Sequence, residues 1–365
     1  MNVALNYILN RGGQVVYISS RKLSSTIESK IVKAKKYILH QHFSGLPKQS
    51  DLKLVEEKLP NLRNGEFLSE AVYLSVDPYM RAYEPRLKLG TVFIGSQIAK
   101  ITDSKSKQYP IGKYVVGQFG WRSHTITSEE EAKNPELLVN VLPDFGKLSL
   151  SLGLGVLGMP GNAAYFGFLE ICKPKEGETV VVSGAAGAVG SVVGQIAKIK
   201  GCNVIGIAGD DEKGKWLINE LGFDHFINYK KPNLHKTLAK CAPNGVDCYF
   251  DNVGGEISST VLSQMNLHGR VSVCGAIVGY NANRSTLPTA TITQGFIAIK
   301  QLRIEGFIAT RWRDRWMEGI DQNLKWISEG KLKYRETVTE GFENTFQAFV
   351  DMLQGGNVGK AVVKV

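Results

Sequence analysis

A glycine-rich turn at residues 184–190 is the first place where the sequence predicts chemistry. From its second residue it reads A-x-G-x-x-G, with Gly187 and Gly190 at the second and third glycine positions of a dinucleotide-binding turn. The second glycine lets the backbone approach a pyrophosphate, and the third lets the following helix pack close to the sheet. Phosphates would bind the free N–H groups where that helix begins. The turn therefore predicts a nucleotide site that includes Ala188 and Val189.

The residues after the next strand bear on which nucleotide is bound. Asp210 lies 20 residues after Gly190 and predicts NAD, because an acid at that distance binds a ribose 2′-hydroxyl. Lys213, with Tyr229 beyond the third strand, could instead form a site for the 2′-phosphate of NADP. Lys213 could equally be a solvated charge on a helix. The spacing alone leaves the choice between NAD and NADP open.

Two tyrosines are candidates for work on a substrate. Tyr280 is predicted at the end of a sheet strand near the cleft, where its hydroxyl could polarise a carbonyl or hold the nicotinamide ribose. Tyr79 follows Pro78 in a predicted loop. Each could instead be a core tyrosine with its hydroxyl hydrogen-bonded. His124 and His268 are predicted to be structural.

The cysteines and histidines predict neither a disulfide framework nor a metal centre. The five cysteines are odd in number and widely spaced, and no C-x-x-C occurs. Structural zinc needs four nitrogen or sulfur ligands in close pairs, and the cysteines and six histidines show no such cluster. We therefore expect a reducing compartment and no metal.

The elements that must position these residues change character near residue 158. Residues 36–157 contain short alternating segments separated by glycine and proline, which predict a small β-rich domain. Strands and helices then alternate, beginning with the β-branched run Thr179–Ser183, which is typical of a strand buried on both faces. This alternation predicts a doubly wound parallel sheet. A helix at 344–354 and a strand at 359–365 end the chain, and the strand is expected to pair with the first domain.

Composition indicates a folded chain without a nucleic-acid or membrane signature. Of the 365 residues, 43% are hydrophobic and 21% are charged, which excludes a mainly disordered protein. The net charge is +10, but residues 1–40 hold seven bases and one acid, and the remaining excess forms no basic stripe. No run of 18 apolar residues occurs, so we expect no membrane span.

The first 33 residues have a composition of their own. Residues 1–27 contain three Arg or Lys, four serines and no acid, as organelle transit peptides do. Gly12 and Gly13 would interrupt an amphipathic helix. We expect a loose extension on a cytoplasmic protein, with mitochondrial targeting through residues 1–33 as the alternative.

Several long motifs give residues 36–365 a resemblance to one family. The chain resembles the zinc-independent medium-chain dehydrogenase/reductases, and among them the alkenal and double-bond reductase group. The motifs are VDPYMR at 76–81, GMPG at 158–161, AYFG at 164–167, SGAAGAVG at 183–190, YFDNVGG at 249–255, CGAI at 274–277 with YN at 280–281, and EGFEN at 340–344.

This resemblance implies an α/β protein of two domains with the active site in the cleft between them. A GroES-like β-rich catalytic domain would occupy residues 34–157, and a Rossmann domain with a doubly wound parallel sheet would bind NADP at 158–333. Residues 334–365 would return to the catalytic domain, and residues 1–33 would be the extension. The Gly-His-Glu motif and close cysteine lobe of zinc-dependent relatives do not occur here. We expect a homodimer.

The resemblance also implies a cofactor, NADPH, and the residues that hold it. Lys213 and Tyr229 become contacts to the 2′-phosphate, although Asp210 stands where relatives usually have serine, and an acid repels a phosphate. The family's other cofactor positions correspond to Gly187, Ala188, Val189, Gly190, Asn252, Cys274, Gly275, Ala276, Ile277, Val278, Gly279, Tyr280, Phe307, Ile308, Ala309 and Asn357.

The implied reaction is NADPH-dependent reduction of the α,β-double bond of lipid enones and 2-alkenals, including the 13,14-bond of 15-oxo-prostaglandins (13-reductase). Hydride would go to the β-carbon, and the cofactor ribose and Tyr280 would stabilise the enolate, with Tyr79 in the substrate cleft. Such a reaction needs a hydride donor and hydrogen-bond donors for the enolate oxygen. The alternatives are a quinone reductase and a catalytically silent nucleotide-binding protein.

Overall fold

The structure is a computed structural model that describes residues 32–282, 291 and 293–365. Within these residues the strands are β1 (Lys33–Leu39), β2 (Leu52–Lys58), β3 (Glu66–Val76), β4 (Gln97–Ser104), β5 (Tyr114–Gly117), β6 (His124–Ser128), β7 (Asn140–Val141), β8 (Thr179–Ser183), β9 (Asn203–Ala208), β10 (His225–Asn228), β11 (Val246–Asp251), β12 (Met265–Val273), β13 (Arg303–Gly306), β14 (Glu336–Glu340) and β15 (Lys360–Lys364). The α-helices there are α1 (Tyr79–Tyr83), α2 (Met159–Phe166), α3 (Gly190–Ile199), α4 (Asp211–Asn219), α5 (Leu234–Cys241), α6 (Gly255–Ser263), α7 (Gln294–Ile299), α8 (Trp316–Ser328) and α9 (Thr345–Leu353).

A largely antiparallel sheet combines strands from residues 66–141 with the last two strands of the chain. The order is β14-β15-β3-β4-β5-β7, and β6 also pairs with β3. β15 runs antiparallel to β3, with Ala361 opposite Val76, and parallel to β14. The expected pairing of the final strand with the first domain is thereby confirmed. Phe93, Trp121 and Phe349 pack together in its core, and the Phe93 and Trp121 ring centroids lie 4.7 Å apart.

The second large sheet is parallel and has the order β10-β9-β8-β11-β12-β13. In β8, Val180 and Val182 pack into one core with α3, whereas Val181 packs into another with α5 and α6. All three side chains are fully buried. The predicted α/β class, the doubly wound sheet and the burial of this strand on both faces are confirmed.

The first strand of this sheet marks the point where the winding reverses. β8 pairs with β9 on one side and with β11 on the other. In open parallel sheets, ligands bind outside the carboxyl ends of the strands at such a switch point. The fold therefore presents the glycine-rich turn, which follows β8, at the edge where a nucleotide binds.

Some predictions concern features away from this edge. The extension predicted at residues 1–33 lies, except for its last two residues, outside the described part of the chain. Across the described part, no helix is long and apolar enough to cross a membrane. All five cysteines are free thiols. The domain boundaries at 157 and 333 stay predictions.

Candidate cofactor and substrate site

The glycine-rich turn connects the end of β8 to the start of α3 through close backbone packing. Gly184 has a φ of +60°, which favours glycine, and a Cβ on Gly190 would lie 2.4 Å from the Gly184 carbonyl oxygen. Glycine at both positions therefore lets α3 begin directly against the turn. Gly187 forms a parallel bridge with Gly359, and the Gly359 N–H donates to the Ala186 carbonyl oxygen at 2.8 Å. Gly187, Ala188 and Val189 remain only half-buried, so a ligand can approach them.

The loop after β11 is organised by a carboxylate that sequence reasoning did not select. Oδ1 of Asp251, a residue 3% exposed, accepts hydrogen bonds from the hydroxyls of Ser183 (3.0 Å) and Tyr249 (2.8 Å) and from the N–H groups of Val253 and Gly254 (2.9 Å each). An acid as the last residue of a buried strand was the signal for it. These bonds fix the start of the loop in place beside the turn.

Asn252 borders the glycine-rich turn. Its Nδ2 donates to the Ser183 carbonyl oxygen at 2.7 Å, and a Cβ added to Gly184 would lie 3.3 Å from the Cβ of Asn252. The structure therefore brings Asn252 and the turn together at the carboxyl edge of the parallel sheet.

Residues 274–280 form one loop that rests on the same segment. The N–H groups of Cys274 and Gly275 donate to the Asp251 carbonyl oxygen at 2.8 and 3.2 Å. Further along, Val278 donates to the Val253 carbonyl oxygen at 3.2 Å. Burial, together with the nearby Asp251 charge, raises the pKa of Cys274 to about 12. The Cys274 thiol is therefore protonated at neutral pH.

Tyr280 lies in this loop and not at a strand end, so that part of the prediction was wrong. β12 ends at Val273, and a 3-10 turn over Ile277–Gly279 precedes the tyrosine. Its half-buried side chain folds back so that the hydroxyl oxygen accepts the Ala276 N–H at 3.2 Å. Burial raises the pKa of Tyr280, although this hydrogen bond opposes the shift. The phenol therefore keeps its proton and can donate it to another oxygen.

The remaining candidate cofactor-binding residues lie in two further segments. The N–H of Phe307 donates to the Val273 carbonyl oxygen at 3.3 Å, which holds the segment after β13 against the end of β12. Ile308 is 62% exposed, whereas Ala309 is buried. Asn357 Nδ2 donates to the carbonyl oxygen of Gly359, the residue bridged to Gly187. Strand pairing thus brings Asn357 to the turn from the far end of the chain.

At the end of β9 lie Asp210, which predicts NAD, and Lys213, which predicts NADP, and the hydrogen bonds there give the two side chains different roles. Asp210 is the N-cap of α4, and its Oδ1 accepts the N–H groups of Glu212 (2.8 Å) and Lys213 (3.3 Å). The carboxylate therefore caps the N-terminus of α4 and is not an unpaired acid available to a ribose. The Lys213 ammonium donates to the Gly355 carbonyl oxygen at 2.6 Å. Burial lowers the pKa of Lys213, and the Asp210 charge opposes that shift.

Tyr229 completes this corner of the site. A Cβ on Gly209 would lie 2.9 Å from the Tyr229 hydroxyl oxygen, so the ring covers the residue before Asp210. The Tyr229 side chain is 44% exposed. The structure brings Tyr229 and Lys213 to the same end of β9, as the NADP reading requires.

Tyr79 belongs to the other part of the chain, where it lies at the start of α1 and not in a loop. Its hydroxyl donates to Gln118 Oε1 at 3.3 Å, and Gln118 Nε2 donates to Ser96 Oγ at 2.7 Å. Burial raises the pKa of Tyr79, and the neighbouring Asp77 charge adds to the shift. Its phenol is therefore also protonated at neutral pH.

Gln118 and Ser96 line a cavity of ≈ 760 Å³ between the antiparallel sheet and α8. Neither Tyr79 nor Tyr280 is part of its wall; Tyr79 reaches it through its hydrogen bond to Gln118. Neither Gln118 nor the cavity was predicted from the sequence. The cavity's apolar wall includes Val116, Val139, Leu142, Leu157 and Met159.

The described residues contain no group of three or more His, Cys, Asp or Glu side chains that could hold a metal ion. All six histidines and all five cysteines belong to that described part.

Comparison with known proteins identifies the two parts of the chain. Residues 35–134 match the family model of the N-terminal domain of oxidoreductase, and residues 188–325 match that of the zinc-binding dehydrogenase. The chain is 50% identical to prostaglandin reductase 1 of Oryctolagus cuniculus over 91% of its own length and 93% of the relative. It is 38% identical to NADPH-dependent curcumin reductase of Escherichia coli (strain K12), over 91% and 96% of the two chains.

Solved structures agree with these relatives. CurA from Vibrio vulnificus in complex with NADPH superimposes with a TM-score of 0.84 at 36% identity, covering 91% of this chain and 99% of CurA. Escherichia coli quinone oxidoreductase complexed with NADPH has a TM-score of 0.71 at 18% identity, covering 91% and 100% of the two chains. At that identity, the second comparison bears on the fold alone.

Proposed function

The chain belongs to the medium-chain dehydrogenase/reductase superfamily, and from that premise we propose that it is an NADPH-dependent reductase of carbon–carbon double bonds in enones and 2-alkenals. The observation that carries the proposal is the meeting of three segments at the carboxyl edge of the parallel sheet. There the glycine-rich turn, Asn252 and the 274–280 loop meet, and the turn opens toward solvent. The names of prostaglandin reductase 1 and curcumin reductase support reduction as the reaction.

NADPH is the proposed cofactor because the corner at the end of β9 suits a 2′-phosphate. The Asp210 carboxylate already accepts two helix N–H groups, which lessens its repulsion of an anion. Lys213 offers an ammonium group there, and Tyr229 offers a partly exposed hydroxyl. The turn, Asn252, the 274–280 loop, 307–309 and Asn357 would hold the rest of the molecule. CurA with bound NADPH supports this assignment.

When bound, NADPH supplies the hydride that the β-carbon of the acceptor receives. The protein's contribution is to hold the acceptor and to stabilise the negative charge that develops on its carbonyl oxygen. Tyr280 keeps its proton at neutral pH because burial raises its pKa, and it is therefore a hydrogen-bond donor to that oxygen. Tyr79 is protonated for the same reason and would be a second hydrogen-bond donor near the substrate. Protonation of the α-carbon completes the reduction.

The cavity beside Gln118 favours an acceptor with a long apolar chain. Its volume of ≈ 760 Å³ and apolar wall would accommodate an acyl chain, and its polar end lies next to the Tyr79 hydroxyl. We propose lipid enones and alkenals as substrates, with 15-oxo-prostaglandins among them, as the relatives' name suggests.

We also propose a cytoplasmic homodimer, with mitochondrial targeting through residues 1–33 as the alternative location. β13 is an edge strand of the parallel sheet, and Ile299 and Ile304 near it are exposed. An exposed apolar sheet edge can pair with another chain, and a second copy of this chain would cover it.

The function is tested by following NADPH consumption with trans-2-alkenals, a 15-oxo-prostaglandin and a quinone, each also assayed with NADH. We expect turnover of the first two classes with NADPH and saturated products by mass spectrometry. Reduction of the quinone alone would establish the quinone-reductase alternative. Tight NADPH binding without turnover of any acceptor would establish a silent nucleotide-binding protein.

A further inference from the structure

A buried arginine joins the two segments that carry the candidate tyrosines. Arg81 lies in α1, two residues after Tyr79, and is only 4% exposed. Its Nε donates to Oδ1 of Asn281 at 3.1 Å. Asn281 directly follows Tyr280 and lies 200 positions from Arg81 in the chain. This one hydrogen bond therefore connects the antiparallel-sheet domain with the loop that holds Tyr280.

Contacts on its other side fix the orientation of the guanidinium. Nη2 donates to the Gly45 carbonyl oxygen at 3.1 Å, and Nη1 lies 3.6 Å from Oε2 of the fully buried Glu84. The guanidinium also lies over the Phe43 ring, 5.5 Å from its centroid. Because the guanidinium is planar and its donors are rigidly arranged, these contacts direct Nε toward Asn281.

Several hydrogen bonds among the described residues hold the loop that carries Tyr280 from the parallel-sheet side. The Tyr280 hydroxyl meets the Ala276 N–H of its own loop, and Val278 donates to the Val253 carbonyl oxygen. The bond to Arg81 adds an anchor from the antiparallel-sheet side. A donor on a loop that is held from both sides occupies a narrower range of positions than a donor on a loop that is held from one side.

We propose that Arg81 and Asn281 are positioning residues that hold Tyr280 at a fixed place relative to Tyr79 while the acceptor reacts. This inference rests on the proposed function, because both tyrosines act there as donors to the substrate. Without the bond, the loop samples more positions and the phenol meets the enolate oxygen less often. Turnover should therefore fall more than substrate or cofactor binding, since the glycine-rich turn and Lys213 are untouched.

The test compares Asn281→Ala, which removes the acceptor oxygen, with Asn281→Asp, which keeps one for Arg81. We expect kcat of Asn281→Ala on an enone to fall about tenfold, with KM and the NADPH Kd changed less than about twofold. Asn281→Asp should retain kcat to within about threefold. The matched control is Asn219→Ala, at an exposed asparagine that ends α4, and it should behave as wild type.

Two further readouts separate positioning from a general structural effect. In a Tyr280→Phe background, Asn281→Ala should cause no additional loss of kcat, because the donor it positions is gone. Amide hydrogen exchange over residues 276–281 should be faster in Asn281→Ala than in wild type, with other segments unchanged. Unchanged exchange, or an equal loss of kcat in both backgrounds, would overturn the proposal. An inactive wild type would refute the proposed function, while the exchange measurement would still decide whether the bond holds the loop.

Discussion

At the scale of single residues, Asp210 shows how local hydrogen bonds alter the meaning of a motif. Its distance from Gly190 predicts an acid that faces a ribose. In the structure, however, its carboxylate accepts hydrogen bonds from the N–H groups of Glu212 and Lys213. Capping turns Asp210 toward α4 and leaves Lys213 and Tyr229 as the groups suited to a 2′-phosphate. Sequence spacing could not distinguish the two roles, because both need an acid at the end of the same strand.

The proposed contact between Lys213 and the 2′-phosphate is tested by Lys213→Ala. A hydrogen bond to a charged group contributes roughly 1.5–3 kcal/mol, so KM for NADPH should rise at least about tenfold. KM for NADH, which lacks that phosphate, should barely change. Lys215→Ala is the matched control on the same helix, because Lys215 pairs with Glu212 on the exposed surface. Equal losses for NADPH and NADH would show that Lys213 does not discriminate between them.

The contribution of Tyr280 is tested by Tyr280→Phe, which removes only the hydroxyl. Loss of a main oxyanion donor costs about 10²–10³ in rate, and the cofactor ribose would share this work, so we expect kcat to fall about 10- to 100-fold. NADPH affinity should change little, because the phosphate contacts lie elsewhere. Tyr334→Phe, at a partly exposed tyrosine, is the control. Unchanged turnover of an enone would remove Tyr280 from the mechanism.

At the scale of elements, local patterns were predictable and contacts between distant segments were not. The β-branched run of β8 and the glycines after it reveal a buried strand and a tight turn, because each feature depends on neighbouring residues. The Ser183–Asp251 bond, the Tyr79–Gln118 bond and the Arg81–Asn281 bond join segments far apart in sequence. The periodicity of the sequence contains no information on which distant residues form such pairs. For the same reason Tyr280, after an irregular loop, was misplaced at a strand end.

The junction of β14 and β15 contains a carboxyl group that is poorly accommodated. Glu336 lies opposite Lys360 and accepts a hydrogen bond from the Ser151 hydroxyl at 2.6 Å, but its buried Oε1 finds no donor among the described residues. Burial raises the pKa of Glu336, while Ser151 and Lys360 oppose the shift. The folded state therefore favours the protonated carboxyl more than the unfolded state does.

Linkage then gives the sign of a pH effect at Glu336. When the pKa of an acid is higher in the folded state than in the unfolded state, the free energy of unfolding falls as the pH rises from the unfolded-state pKa to the folded-state pKa. Above the folded-state pKa this loss of stability is complete. Glu336→Gln, which resembles the protonated form, should raise Tm by about 2 °C at pH 8 and change it little near pH 4. Glu340→Gln, at an exposed position on the same strand, is the control for calorimetry at both pH values. A lower Tm at pH 8, or the same increase at both pH values, would contradict this account.

At the scale of the whole molecule, the C-terminal strand makes one site from two domains. β15 pairs with β3 of the antiparallel sheet, and the residue before it, Gly359, bridges to Gly187 of the nucleotide turn. A Cβ on Gly359 would lie 1.9 Å from the Arg335 carbonyl oxygen, so the close packing of this residue against the segment before β14 requires glycine. The pairing of the last strand with the first domain was predictable, but its contact with the turn was not, because it depends on how the two sheets meet.

The last prediction concerns metal, since the family model that matches residues 188–325 is named for zinc binding. Every histidine and cysteine of the chain lies in the described residues, and no three potential ligands there form a metal-binding group. The proposed reaction needs a hydride donor and protonated phenols, and a Lewis acid has no part in it. Prolonged treatment with EDTA or 1,10-phenanthroline should therefore leave NADPH-dependent enone turnover unchanged, and elemental analysis should find far less than one zinc per chain. A zinc-dependent alcohol dehydrogenase treated in parallel should lose its activity. The prediction would be wrong if the protein held stoichiometric zinc and if chelation removed an activity that added zinc restored. A metal site would then form from residues that the structure does not bring together.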